Sequence, residues 1–393
     1  MIKGFLFGGI KTQMPKHIYL IAGEASGDFI GAQLMKAIKA QEPDTIFSGI
    51  GGPLMTAQGL NSLFPMHDLS VMGIAEVLPR LMLLLKRIKQ TTDNIINLQP
   101  SVVVTIDAPD FCHRVIKGVR KRVKKTSSTS PKFIHYVAPT VWAWRPKRAK
   151  KVAEFLDGLL CLFDFEPPYF EKEGLKAVAV GHPMMESGVI NAKEASIGAP
   201  DTQKIGVFFG SRQGEIKRIS STLVEVMKKI EMEKGGKVEF IIPTLDHLKE
   251  PITHLVKEIN IPTHIIVNND EKWPIFKSCD VALAVSGTVG LELAVANVPH
   301  IIGYKMNALT YQIAKHLIKT PYAHLTNIMM GHEVIPEFIQ DDCNADDMAA
   351  ELLTLLENTT YQRQQTDEFI KLCERMGALE YPSKNAADYI LRL

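Results

Sequence analysis

The chain has 393 residues, of which 46% are hydrophobic and 22% charged, with a formal net charge of +2. The length exceeds one ordinary core and calls for two domains; the composition is that of a soluble globular protein, and the near-balanced charge says little about partners. The five cysteines are odd in number, scattered and without a CxxC pair, which argues against a disulfide framework or a zinc site and for a reducing compartment, and no apolar stretch is long enough to cross a bilayer.

Met14 directly precedes the first β-rich run, so residues 1–13 read as an N-terminal extension rather than a signal peptide. Ile18 to Ala22 predicts a strand ending in the turn Gly23-Glu24-Ala25-Ser26-Gly27-Asp28, with a helix following to about Ala40. A second strand ends at Gly49-Ile50-Gly51-Gly52. Downstream, Leu81 to Leu85 are consecutive apolar residues flanked by Arg80, Lys86, Arg87 and Lys89, too many for one buried stripe of a helix. Leu81, Met82, Leu84 and Leu85 are therefore candidates for contact with a membrane interface or with acyl chains; a wholly buried core helix is the alternative. Val102 to Ile106 is a continuous β-branched run, the pattern of a parallel strand buried on both faces, and Ile134 to Val137, Gly158 to Phe163 and Val178 to Val180 look similar. Between Phe111 and Ala153 stand 13 Lys/Arg and no Asp or Glu. Such a one-signed block attracts phosphates, anionic headgroups or nucleic acid, with a solvated face as the bland alternative. Within it, Trp142 and Trp144 either anchor at headgroup level or pack inside.

Residues 188–203 form a small, polar, Gly/Pro-containing linker, after which the pattern restarts. Ile205 to Phe209 predicts a strand, Gly210-Ser211-Arg212 a turn, and Glu215 onward a helix; strands follow near Val238 to Ile242, His264 to Val267, Val281 to Val285 and His300 to Gly303. Alternating strands and helices in both halves predict an α/β chain of two Rossmann-like parallel-sheet domains facing a cleft between the carboxyl ends of their strands. The boundaries are residues 14–187 for the first domain and 204–360 for the second, with residues 361–393 a C-terminal helical segment.

The candidate chemistry follows from these turns. Gly210, Ser211 and the helix start at Glu215 offer backbone N–H groups to an anion, and Arg212 adds a guanidinium that can fork onto phosphate oxygens; an ordinary turn with a surface arginine is the competing reading. Ser286, Gly287 and Thr288 repeat that arrangement, and Glu292 lies where a carboxylate accepts ribose hydroxyls or simply complements a helix dipole. Together they suggest a nucleoside diphosphate site, with neither a Walker loop nor a GxGxxG fingerprint. Asp107, at the carboxyl end of a buried strand, is a candidate general base or a helix cap. Glu24, Ser26 and Asp28 lie near it if the two strands are neighbours, to bind sugar hydroxyls or cap a helix. No Asp-x-Asp metal pair occurs and the histidines lack ligand spacing, so neither a metal nor a cofactor is expected; His182 could touch substrate or be structural.

These segments resemble the lipid-A-disaccharide synthases, a family with the GT-B fold. The resemblance rests on the Gly23–Asp28 turn, Val71-Met72-Gly73-Ile74-Ala75-Glu76-Val77-Leu78, Ile106 to Phe111, and His135 to Arg145 with both tryptophans. In the second half it rests on Gly210-Ser211-Arg212, Ser286-Gly287-Thr288 with Glu292, Gly303-Tyr304-Lys305-Met306, and Thr320 to Gly331 with Asn327. It implies an acceptor/lipid-binding first domain and a UDP-sugar-binding second domain. It implies a metal-free inverting glycosyltransferase that moves 2,3-diacylglucosamine from UDP-2,3-diacylglucosamine to 2,3-diacylglucosamine 1-phosphate, giving the β-1,6 disaccharide 1-phosphate and UDP. Asp107 and Arg212 would be catalytic, and Glu24 and Asn327 functional by their place in the motifs. The enzyme would be cytoplasmic, peripheral on the anionic inner face of the inner membrane, without nucleic acid, and in a family that includes homodimers. The rivals are another GT-B transferase or epimerase using UDP-N-acetylglucosamine, or a non-catalytic lipid-binding protein at the membrane surface.

Overall fold

The computed structural model describes residues 15–69, 74–126, 130–143, 145–211, 213–267, 271–307, 311–312, 320–377 and 380–393. Strands β1 (His17–Ala22), β2 (Ile46–Ile50), β3 (Val102–Ile106), β4 (Lys132–Tyr136), β5 (Gly158–Cys161) and β6 (Ala177–Ala179) form a parallel sheet in the order β2-β1-β3-β4-β5-β6. The helices between them are α1 (Ala25–Gln41), α2 (Pro53–Ala57), α3 (Ile74–Leu98), α4 (Pro109–Thr126), α5 (Arg148–Ala153) and α6 (Pro168–Glu171). Side chains alternate across a strand, and the central strands β1 and β3 are buried on both faces. Ile18, Leu20 and Ala22 of β1 enter one apolar cluster with Val102, Val104 and Ile106 of β3, whereas Tyr19, Ile21 and Val103 enter the cluster on the other face.

A second parallel sheet has the order β12-β11-β10-β7-β8-β9. It contains β7 (Gln203–Phe208), β8 (Val238–Pro243), β9 (Thr263–Ile266), β10 (Val281–Val285), β11 (His300–Tyr304) and β12 (Glu337–Ile339). Its helices are α7 (Gln213–Lys234), α8 (Asp246–Leu255), α9 (Lys272–Lys277), α10 (Thr288–Val295), α11 (Leu325–Met330), α12 (Ala345–Glu357) and α13 (Thr359–Arg375). The final helix, α14 (Pro382–Leu391), leaves this half and packs on α1 of the first.

Two connections join the halves. The segment after the 3-10 turn Pro183–Glu186 runs without regular structure to β7 and docks through the Ala195 N–H to the Pro274 carbonyl, 2.9 Å. The return crossing lies against the first, where the His182 N–H donates to the Met376 carbonyl at 2.9 Å. Gly181 permits this approach: its φ is +89°, and a Cβ there would stand 2.9 Å from Pro382 and 3.0 Å from the Met376 carbonyl oxygen. Arg375 clamps the crossing by donating to both carboxylate oxygens of Asp164, at 2.9 and 2.8 Å, and to the Met329 carbonyl.

Each sheet reverses its winding once. In the first, β2 lies on one side of β1 and β3 on the other; in the second, β8 and β10 flank β7. Connections diverge at such a switch point, and a crevice opens beyond the carboxyl ends of the two central strands. The turns after β1, β3, β7 and β10 are those that carry the candidate chemistry.

Candidate functional site

At the second switch point lies a cavity of about 420 Å³, within the usual range for a small-molecule site. The turn after β7 supplies Gly210 and Ser211, and the turn after β10 supplies Ser286, Gly287 and Thr288 at the start of α10. Gly210 has a φ of +91°, a conformation open to glycine at no steric cost, and it directs the chain into α7. Glu215 and Glu292 reach the same wall. Pro243, Leu245, Ile266 and Phe276 add apolar lining, with Thr244 among them. The residues singled out in these two turns, some 75 positions apart in the chain, therefore line one space. Arg212 lies outside the described residues.

Sequence reasoning missed Lys272. It opens α9, lines the cavity, and donates from Nζ to Glu292 Oε1 at 3.0 Å. The pairing joins residues on different elements, and no local motif announces it.

At the first switch point the turns after β1 and β3 touch: a Cβ on Gly23 would stand 2.6 Å from that of Ala108. Asp107 is half-buried, and its amide donates to the Tyr136 carbonyl of β4 at 3.0 Å. Burial raises its carboxyl above the usual value of 3.8, offset in part by the Ala108 N–H. Asp107 and Ala108 have φ values of +51° and +43° in succession, a left-handed pair that stores backbone strain, a condition concentrated at functional sites. Glu24 is the N-cap residue of α1 without a side-chain capping bond, and Ser26 is exposed on the helix's first turn.

Asp28 has a different task from sugar binding. It is buried and caps α2, accepting from the N–H groups of Gly52, Leu54 and Met55 at 2.8, 2.9 and 3.0 Å. Asn327 is likewise committed. Its Nδ2 donates to the Ile335 carbonyl and to Glu337, at 2.8 and 2.7 Å, while its Oδ1 accepts from Val334 and Ile335 N–H, at 2.8 and 3.0 Å. His182 Nδ1 accepts from Met184 N–H, and burial lowers the imidazole to about 4, so a neutral structural histidine accounts for it.

Met82 and Leu85 are 77% and 46% exposed, and Leu81, Leu83 and Leu84 are half-buried, so the wholly buried helix is set aside. Helix α3 packs on α4, whose Lys117, Lys121, Lys124 and Lys125 are exposed. Part of the basic block is used internally: Arg120 pairs with Asp157, Arg122 with Asp93 and Arg148 with Asp110. Among the described residues no helix is long and apolar enough to cross a membrane.

Trp142 is half-buried, edge-on to Phe165, and donates its indole N–H to Glu166 at 3.3 Å, so it packs within the protein; Trp144 lies outside the described residues. Glu166 is buried and its carboxyl is pushed up to about 7, because desolvation outweighs the N–H donors around it. Trp142 fluorescence is expected to titrate with a midpoint near 7, and Glu166→Gln to remove the transition. The folded value lies above the ordinary 4.5, so the group's contribution to stability is complete below pH 4.5 and is lost as pH rises through about 7.

The chain matches the family model described as lipid-A-disaccharide synthetase over residues 18–390. A lipid-A-disaccharide synthase from Rhodospirillum centenum is 40% identical over 390 residues, covering 96% of this chain and 95% of its own. One from Pseudomonas putida KT2440 is 35% identical over 381 residues, covering 96% and 98%. Among solved structures, Acinetobacter baumannii MurG superposes with a TM-score of 0.56 at 14% identity, covering 96% of this chain and all (100%) of its own. A UDP-GlcNAc 2-epimerase from Neisseria meningitidis, bound to UDP-GlcNAc, gives 0.61 at 10%, covering 96% and 98%. At such identities the structural likeness carries the two-domain α/β fold alone.

Proposed function

We propose, for a chain that belongs to the lipid-A-disaccharide synthase family and is thereby a glycosyltransferase, a specific reaction and a specific division of labour. The donor is UDP-2,3-diacylglucosamine and the acceptor 2,3-diacylglucosamine 1-phosphate. The acceptor 6-hydroxyl attacks the anomeric carbon on the face opposite UDP. The C1–O bond to the β-phosphate breaks, its electron pair leaves on UDP, the hydroxyl proton passes to Asp107, and the anomeric centre inverts.

The observation that carries this reading is the convergence of the Gly210–Ser211 and Ser286–Thr288 turns, with Glu292, on one cavity at a switch point. Helix starts offer N–H groups to a diphosphate, and α7 and α10 both begin there. Negative charge developing on the leaving group is met by these dipoles and by the Arg212 guanidinium. The apolar wall of Pro243, Leu245, Ile266 and Phe276 suits the uracil ring, and Glu292 suits the ribose hydroxyls. Asp107 suits the base role because burial raises its proton affinity, with no ion-pair partner for it among the described residues, and its strained turn fixes the carboxylate at a strand end. Glu24 and Ser26, across the same switch point, are assigned to acceptor or sugar hydroxyls.

The exposed apolar flank of α3 beside the basic α4 supports a peripheral site on an anionic cytoplasmic membrane face, with acyl chains received at α3. Met82→Ser with Leu85→Ser is expected to lower sedimentation with anionic vesicles several-fold while leaving UDP affinity intact; unaltered partitioning removes this assignment. The reaction itself is tested by incubating purified protein with both diacylated substrates and seeking the disaccharide 1-phosphate by mass spectrometry. Turnover of unacylated UDP-N-acetylglucosamine, with none of the diacylated donor, favours the epimerase-like or alternative transferase reading.

A further inference from the structure

We infer that Lys272 is a positioning residue for the donor nucleotide, holding the Glu292 carboxylate where it receives the ribose diol. The inference rests on the reading of Glu292 given above and goes one step behind it. Lys272 is, among the described residues that line the cavity, the one with a cationic side chain, yet its ammonium is directed at Glu292, 3.0 Å from Oε1.

The root of Lys272 is rigid. Helix α9 is anchored by Trp273, Ile275 and Phe276, all buried, and the ammonium also lies 4.3 Å from the centroid of the Trp273 ring. A flexible lysine held at its base and at its tip has little freedom left to lose. The carboxylate it holds has about four acceptor directions, so one ammonium bond leaves the remaining lone pairs for two hydroxyls. The pair is also partly shielded, with side-chain exposures of 37% for Lys272 and 19% for Glu292, so a bound nucleotide would cover it further. Without Lys272 the Glu292 side chain would regain its rotamers and lose the ammonium that fixes Oε1.

The test separates the diol from the phosphates by comparing UDP with 2′,3′-dideoxyuridine 5′-diphosphate, measured by calorimetry on the full chain. Both carry the same diphosphate, so their affinity ratio isolates the ribose hydroxyls. For the wild type a preference for UDP of about tenfold is expected, the scale of hydrogen bonds to a charged acceptor. Lys272→Met should bring the ratio close to one, Lys272→Arg should largely keep it, and Lys272→Met should add little to Glu292→Gln. Thermal melts of each variant establish that it is folded. If the wild type prefers UDP and Lys272→Met retains that preference, the inference on Lys272 is overturned while Glu292 stands. If the wild type itself shows no preference, the ribose assignment of Glu292 falls, and this inference with it.

Discussion

Asp107→Asn is expected to reduce turnover about 10²- to 10⁴-fold, the usual contribution of a positioned general base, with UDP affinity within about twofold of wild type. The geometry makes asparagine a clean probe. The residue has a φ of +51°, and asparagine is among the few residues other than glycine that enter this region readily, whereas alanine would add strain of its own. The amide keeps the size of the carboxyl but loses its charge and its ability to take a proton. Stability should move the other way. The native carboxyl is raised above its ordinary 3.8 by burial, so its contribution is complete below pH 3.8 and is lost as pH rises through the raised value. At neutral pH the ionised wild type therefore bears a desolvation cost that asparagine lacks, and the variant should melt at or above the wild-type temperature. The acid limb of the wild-type rate should rise with pH through that raised value and then level. A folded variant with full turnover removes Asp107 from the chemistry.

Asn327→Ala is expected to destabilise the fold by about 4 kcal/mol, read from urea unfolding midpoints, while UDP affinity of the folded protein changes little. The buried amide bridges α11 to the segment entering β12 with bonds to Val334, Ile335 and Glu337. Truncation leaves the Val334 and Ile335 N–H groups and the Ile335 carbonyl without that partner, at roughly 1–3 kcal/mol for each group stranded away from water. Asn327→Asp should fare no better, because a carboxylate would face the Ile335 carbonyl oxygen and the Glu337 carboxylate where the amide nitrogen donates. A wild-type unfolding midpoint combined with lost turnover would instead make Asn327 a substrate contact.

The contrast between Asp107 and Asn327 marks what a sequence can disclose. The central strands were legible because burial on both faces demands unbroken β-branched or apolar runs; Val102–Ile106 and Val281–Val285 have the expected limits. β12 was not anticipated, because Glu337–Ile339 is a three-residue edge strand with too few positions to show a period. The turns lining the cavity were recognisable from small residues between a strand and a helix. For Asp28 capping was one of two readings left open, and the sequence could not show which helix it serves, since that helix begins 25 residues later. Lys272 was missed for a related reason: its partner stands on another helix, α10, and only the packing of α9 beside α10 brings them together. Turns with their own small-residue signature are visible in a chain read linearly; a side-chain pair between two elements, such as Lys272 with Glu292, is not.

The docking of α14 on α1 has a consequence for how the protein is made. The last helix supplies Ala386, Ala387 and Ile390 to the same apolar cluster as Leu34 and Ile38, and the Leu391 carbonyl accepts from Lys16. The ribosome releases α1 early, yet α14, which covers it, is translated only after both sheets. Until α14 emerges, the nascent first half presents an uncapped apolar face, and contacts of such long sequence separation form slowly. Termination after Arg375 would leave both sheets encoded but α1 without its cover, and such a chain is expected to aggregate.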